Sequence, residues 1–258
     1  MSPVDGDLTE IFQSTFASPI SAVEERVWRE VFGEEYPEGV APYSYTSRSE
    51  LSRIAEALEV RPGDVFADIG CGRGGPGLWV AATTGAHVVG VDIVDSALAA
   101  SAARAQTLGL GSVAEYRLGA FDHLPIGDAA VDAAMSIDAL LFAPSKRDAL
   151  SEVARAVRPG GHIVMTTWDY HSQPVGRPPQ VADHRPLLVE AGFDVVAYDD
   201  TPLWRDRQER LDALLLDAVD ELAAESGDDP DDVRAGIEEM HATLATMIRR
   251  VLFVARRL

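Results

Sequence analysis

The chain has 258 residues, 47% of them apolar, enough for one large domain around a substantial core. No apolar run approaches the roughly 18 residues of a membrane span, and a formal net charge of −20 argues against nucleic acid or an anionic membrane as partner. Cys71 is the only cysteine, so no intrachain disulfide forms and a reducing cytoplasm fits; the acidic stretch 1–10 lacks the basic and apolar regions of a secretory signal.

In chain order, the first 60 residues are predicted to be largely helical, with apolar residues at helical spacing over 8–16 and 20–32. The Pro- and Gly-rich run 36–43 breaks that pattern. Thr46 or Ser47 is placed to cap a helix reaching Leu58, with Glu50 in its first turn. After a turn at 61–64 the chain alternates. A buried strand over 65–69 precedes a helix over 76–84, then a strand over 87–91 and an alanine-rich helix over 96–108. Strands at 113–118 and 130–137 lead to a helix over 146–157, a turn at 158–161 and a strand over 162–167. A short helix over 185–191 and a strand over 194–198 complete the series. Repeated units of this length predict a parallel sheet with helices on both faces. The rhythm then changes to two amphipathic helical runs, 209–224 and 231–248, and a last strand, 251–255.

The most informative stretch is Asp68-Ile69-Gly70-Cys71-Gly72-Arg73-Gly74-Gly75. A strand runs into glycines and out into a helix, which brings bare backbone against a ligand because glycine has no Cβ. Gly70, Gly72 and Gly75, with Asp92 about 20 residues on, also satisfy a dinucleotide fingerprint. Three features point elsewhere. Asp68 sets a carboxylate beside the turn, unfavourable for a pyrophosphate but suited to the ammonium and sulfonium of S-adenosylmethionine. Gly119-Ala120-Phe121-Asp122 follows the third strand and offers Phe121 to an adenine. Ser136-Ile137-Asp138-Ala139-Leu140 ends the fourth strand, ahead of a helix that ends in Arg158-Pro159-Gly160-Gly161.

The ordered set Val65-Phe66-Ala67-Asp68-Ile69-Gly70-Cys71-Gly72-Arg73-Gly74, Val91-Asp92, Leu124-Pro125 and Arg158-Pro159-Gly160-Gly161 resembles the class I S-adenosylmethionine-dependent methyltransferases. The resemblance covers about 46–198 with the closing strand, and is nearest to small-molecule methyltransferases of bacterial secondary metabolism. It implies a doubly wound α/β fold, a mostly parallel seven-stranded Rossmann-like sheet. It also implies roles. Gly70 and Gly72 would lie against the methionine part, with Cys71 as a small spacer in the turn, and Asp68 would orient the amino group. Asp92, with Ile93 beside it, would meet the ribose; Ala120 and Phe121 would flank the adenine; Ile137 and Asp138 would line the methyl-transfer side. Ala120 stands where the family often has an acidic residue, which leaves the adenine amino group to Asp122 or to backbone. Tyr43, Tyr45 and Arg48 fall where related enzymes fold a segment over the cofactor.

Methyl transfer is an in-line displacement with an excellent leaving group, so positioning supplies most of the rate. A general base near neutrality helps when the acceptor is a hydroxyl or an ammonium. The site of an open α/β sheet lies at the C-terminal strand ends, which selects Asp138 and His171, with His184 second to His171 as base. Passive, solvated loop histidines are the competing reading. Magnesium on Asp138 and Asp169 is a minor alternative; nothing else visible requires a metal. Trp204 and the late helices are placed to form a lid, and their apolar stripes read first as packing faces or a homodimer contact.

The sequence thus predicts a cytoplasmic enzyme with a helical cap over 1–45, a cofactor-binding core over 46–200, a helical insertion over 201–250 and a closing strand over 251–258. It would methylate an oxygen or nitrogen of a small organic acceptor. The alternatives are the same fold turned to cyclisation or to binding alone and, further off, a nicotinamide-dependent oxidoreductase.

Overall fold

The computed structural model describes residues 3–40 and 44–258. Three helices come first, α1 (Pro3–Ala17), α2 (Ala22–Phe32) and α3 (Arg48–Ala57). Serines start the latter two: Ser21 accepts from the Glu24 amide and Ser47 from the Glu50 amide, filling donors that a helix N-terminus leaves unpaired. The alternating part follows as β1 (Val65–Ile69), α4 (Gly75–Thr84), β2 (His87–Asp92), α5 (Asp95–Thr107), β3 (Ala114–Leu118), β4 (Val131–Ile137), α6 (Lys146–Ala156), β5 (Val157–Tyr170), α7 (Arg185–Glu190) and β6 (Phe193–Asp200). Three more helices, α8 (Trp204–Asp217), α9 (Val219–Ser226) and α10 (Pro230–Thr243), precede β7 (Met247–Arg257).

The strands form one seven-stranded sheet in the order β3-β2-β1-β4-β5-β7-β6, the doubly wound arrangement expected from the alternation. Pairings among β1 to β5 are parallel, while β7 runs antiparallel between β5 and β6. Both faces are covered, which explains why β1 and β4 are almost wholly apolar and buried. One face packs Leu150, Met165 and Phe253 under α6 and α7; the other packs Leu51, Ile54, Phe66 and Leu78 under α3 and α4. A smaller cluster joins Val27 of α2 to Leu211 and Leu215 of α8 and Ile237 of α10.

Three boundaries differ from the sequence reading. Arg158 to Gly161 is not a free turn but part of β5, where the pairing with β4 shifts register between Val131 and Ala133. Gly160 takes φ +79° there, and a Cβ on Gly161 would stand 2.3 Å from the Asp132 carbonyl oxygen. The run 209–224 is two helices broken at Ala218. The last strand begins at Met247 rather than Val251, because Met247 already pairs with Tyr170.

Candidate active site

The glycine turn sits at the C-terminal ends of β1 and β2. Gly70 and Cys71 both donate their amides to the Val91 carbonyl, at 2.8 and 3.1 Å, and the Gly72 amide donates to Asp92 Oδ2 at 2.8 Å. Gly70 and Gly72 take φ of +72° and +51°, the left-handed region that favours glycine. A Cβ on Gly70 would lie 2.3 Å from the Ala139 Cβ, so the turn and the segment after β4 meet backbone to side chain.

The turn forms one wall of a cavity of about 350 Å³. Nine of the ten residues expected to contact a cofactor line it: Asp68, Gly70, Cys71, Gly72, Asp92, Ile93, Ala120, Phe121 and Ile137. Asp122 lines it too, from an exposed position. The tenth, Tyr45, stands behind the wall, its ring 5.1 Å from Trp28 and 5.8 Å from Trp168. Tyr43 lies outside the described residues, and Arg48 is an exposed first residue of α3. The sequence did not foresee the roof: Phe12 and Phe16 of α1 close over the turn. Arg73 fastens that helix, donating to the Thr15 carbonyl at 3.0 Å and the Ser18 carbonyl at 2.5 Å, with its guanidinium over the Phe16 ring. A cation at the C-terminal carbonyls of a helix also suits the helix dipole.

Asp68 and Asp92 are both buried beside this cavity. Burial, and then the neighbouring Asp92, push the Asp68 carboxyl up to about 7, against a hydrogen bond from the Gly77 amide. Burial raises Asp92 as well, opposed by amides of Gly72, Val94 and Ile93. Two desolvated carboxylates on one wall favour a cationic ligand, and they fit the ammonium of S-adenosylmethionine better than a pyrophosphate. Cys71 is held as the thiol: burial, then Asp68 and Asp92, raise it well above the usual range.

Asp138 reaches the cavity but is not free to act as a base. Its backbone is left-handed, φ +53°, and its carboxylate is filled. Oδ1 accepts from Thr166 Oγ1 at 2.7 Å and Arg250 Nε at 3.0 Å; Oδ2 accepts from the Tyr45 amide at 3.0 Å and Arg250 Nη2 at 3.1 Å. Arg250, wholly buried, also grips Glu50 of α3 through two bonds, at 2.8 and 3.0 Å. This Glu50–Arg250–Asp138 bridge escaped the sequence reading. Its one signal was an arginine pair at the head of an apolar strand.

The structure moves both histidines off the cavity. His171 is exposed, with Nε2 2.8 Å from the Ala245 carbonyl and its amide bonded to Thr246. His184 is fully buried, its Nδ1 2.9 Å from Asp169 Oδ1 and its ring stacked on Phe253. Asp169 also accepts from Tyr198 at 2.7 Å and from Arg249 Nε at 2.9 Å, so neither it nor Asp138 has an oxygen to spare for magnesium. The two aspartates stand on different strands and each is filled by its own arginine. Lys146, the only lysine, is also buried; its Nζ donates to the Leu141 and Ala143 carbonyls at 2.8 and 3.0 Å. It pins the turn that carries Phe142 and Ala143 into the cavity wall, and burial pushes its ammonium down to about 7.

Residues 67–165 match the family described as Methyltransferase domain. The chain is 33% identical over 157 residues to 24-methylenesterol C-methyltransferase 2 of Oryza sativa subsp. japonica, spanning 61% of this chain and 43% of that enzyme. It is 28% identical over 180 residues to Methyltransferase GfsG of Streptomyces halstedii, spanning 64% of this chain and 65% of that protein. The chain therefore spans less than two thirds of the length of either relative. Among solved structures, the cyclase SpnF superimposes with a TM-score of 0.72 at 21% identity, over 95% of both chains. The architecture is the class I methyltransferase fold, and the similarity to S-adenosylmethionine-binding methyltransferases supports that compound as the cofactor. The relatives come from plants, fungi, algae and bacteria, a wider circle than bacterial secondary metabolism.

Proposed function

We propose that the chain is an enzyme that transfers the methyl group of S-adenosylmethionine to an oxygen or nitrogen of a small organic acceptor. The observation that carries this reading is the cavity in which Asp68, Asp92 and the glycine turn meet at the strand ends, with Asp138 and Ile137 also in its lining. Similarity to methyltransferases of diverse organisms supports enzymatic function. When bound, the cofactor supplies an activated methyl on sulfur. Asp68 would hold its ammonium, Asp92 would accept from the ribose hydroxyls with lone pairs its amide partners leave open, and Phe121 would lie against the adenine.

The described cavity wall carries no uncommitted histidine, and Asp138 is filled by Arg250. We therefore assign the rate to positioning and water exclusion rather than to a base. His171 and His184 stay outside this scheme. The same feature supports a second reading, in which the bound cofactor is structural and the pocket guides a cyclisation, as the likeness to SpnF suggests.

The test has two arms. Calorimetry with S-adenosylhomocysteine should show tight binding, weakened by Asp92→Ala; no binding would defeat both readings. Labelled-methyl transfer across hydroxyl and amine acceptors, with the product identified by mass, should then show incorporation. Cofactor bound but never consumed would move the assignment to the second reading.

A further inference from the structure

Helix α8 carries two buried polar residues in an otherwise apolar stripe. Trp204, Gln208, Leu211, Asp212 and Leu215 fall on one helical face. Leu211 and Leu215 pack with Val27 and Ile237, and Trp204 packs against the cluster of Trp168 and Leu244. Between them lie Gln208, 3% exposed, and Asp212, 1% exposed. Asp212 Oδ2 has one partner, His241 Nδ1 of α10 at 2.9 Å. Asp212 Oδ1 and Gln208 Oε1 have none. Leaving such buried atoms unpaired is destabilising, because each has lost its water without gaining a partner.

The contrast with the other buried aspartates is informative. Asp138 is filled by Arg250 and Asp169 by Arg249. The arginines of α8 have partners elsewhere: Arg205 the Leu244 and Met247 carbonyls, Arg207 the Phe32 ring and Arg210 Glu30. Burial raises the Asp212 carboxyl, and only His241 opposes that. Both open atoms are acceptors, one of them on a carboxylate. What is missing is a compact group with several donors and a positive charge.

We propose that Asp212 and Gln208 form a subsite for a protonated amine of the acceptor molecule, with His241 positioning the Asp212 carboxylate. The inference rests on the methyltransferase reading, and it adds a recognition handle apart from the atom methylated. An ammonium has three donors in a small head, enough to satisfy both oxygens at once. Helix α8 belongs to the insertion between β6 and β7, and Tyr45 packs against both its cluster and Trp168.

The probe is cyclohexylamine, with cyclohexanone as a ring of similar size that lacks donors. Each is titrated into protein saturated with S-adenosylhomocysteine, so that the amine cannot use Asp68, and followed by the indole N–H resonances of the four tryptophans. The amine should bind at least about tenfold more tightly than the ketone. Asp212→Asn should abolish that preference and Gln208→Met should reduce it, with S-adenosylhomocysteine affinity unchanged in both. Equal binding of the two probes, no saturable amine binding, or a preference that survives Asp212→Asn overturns the proposal. If Asp212→Asn no longer takes S-adenosylhomocysteine, Gln208→Met carries the test alone. Wild type that fails to bind S-adenosylhomocysteine defeats the cofactor reading; loaded protein indifferent to the amine defeats only the subsite.

Discussion

Replacing Arg250 by Met should be among the most damaging single changes in this protein. The side chain is fully buried and gives two bonds to Glu50, two to Asp138 and one to Thr201. Methionine fills a similar volume but leaves two buried carboxylates without a counter-charge. Removing one partner of a buried ion pair costs about 3–5 kcal/mol. At about 2–4 °C per kcal/mol for a chain of this size, the midpoint should fall by about 6–20 °C. Urea and thermal unfolding measure the loss. The discriminating variant is Glu50→Gln/Asp138→Asn/Arg250→Met, in which no charge remains to be compensated; it should recover more than half of the stability. A single variant that loses less than about 1 kcal/mol, or a triple variant no better than the single, would refute the argument from uncompensated charge.

Three further outcomes follow from the cavity wall. Asp68 has its carboxyl raised to about 7 in the folded chain against 3.8 for the free group, so the native state keeps a proton that the unfolded chain releases. Stability of the cofactor-free protein should therefore fall as pH rises from about 4 to 7; Asp68→Asn should flatten that decline, and an unchanged profile would count against the assignment. A Cβ on Gly77 would stand 2.4 Å from Asp68 Oδ2, so Gly77→Ala should keep or raise helix stability while weakening S-adenosylhomocysteine by about tenfold. Calorimetry giving wild-type affinity would show that the carboxylate can move without consequence. Lys146, lowered to about 7 from 10.5, is neutral when folded and charged when unfolded over that interval, so its contribution to stability rises with pH between about 7 and 10. Lys146→Met should remove this rise in melts at the two ends of the window, and parallel curves would sink the idea.

The alternating part of the fold was legible because both periods were strong: strands such as 65–69 are mostly apolar and buried, and helices such as α4 and α6 begin at a glycine or a serine cap. The cofactor wall was legible for a related reason, since Gly70, Gly72 and Asp92 are close in sequence to the strands that place them. What the sequence hid is long-range. Arg250 lies 112 residues from Asp138 and 200 from Glu50, and an arginine beside an apolar strand looks like a solvated flank until a partner is known. His171 and His184 follow a strand end, the usual place of a catalytic side chain, but 14 residues of β5 carry that end past the cavity. His184 instead meets the buried Asp169, a contact set by how α7 and β6 pack and not by local pattern. Phe12 and Phe16 read as ordinary helix-face aromatics, because the loop they cover is more than 50 residues away.

The position of β7 bears on how the molecule is made. Among the described residues β6 pairs with no strand except β7, and β7 lies between β5 and β6. During synthesis β6 leaves the ribosome with no strand to pair with, and three helices must follow before its partner arrives. The same strand then delivers Arg249 to Asp169 and Arg250 to Asp138 and Glu50. Until that moment these acids wait without their counter-ions, so closing the sheet and neutralising its buried charges are one late event.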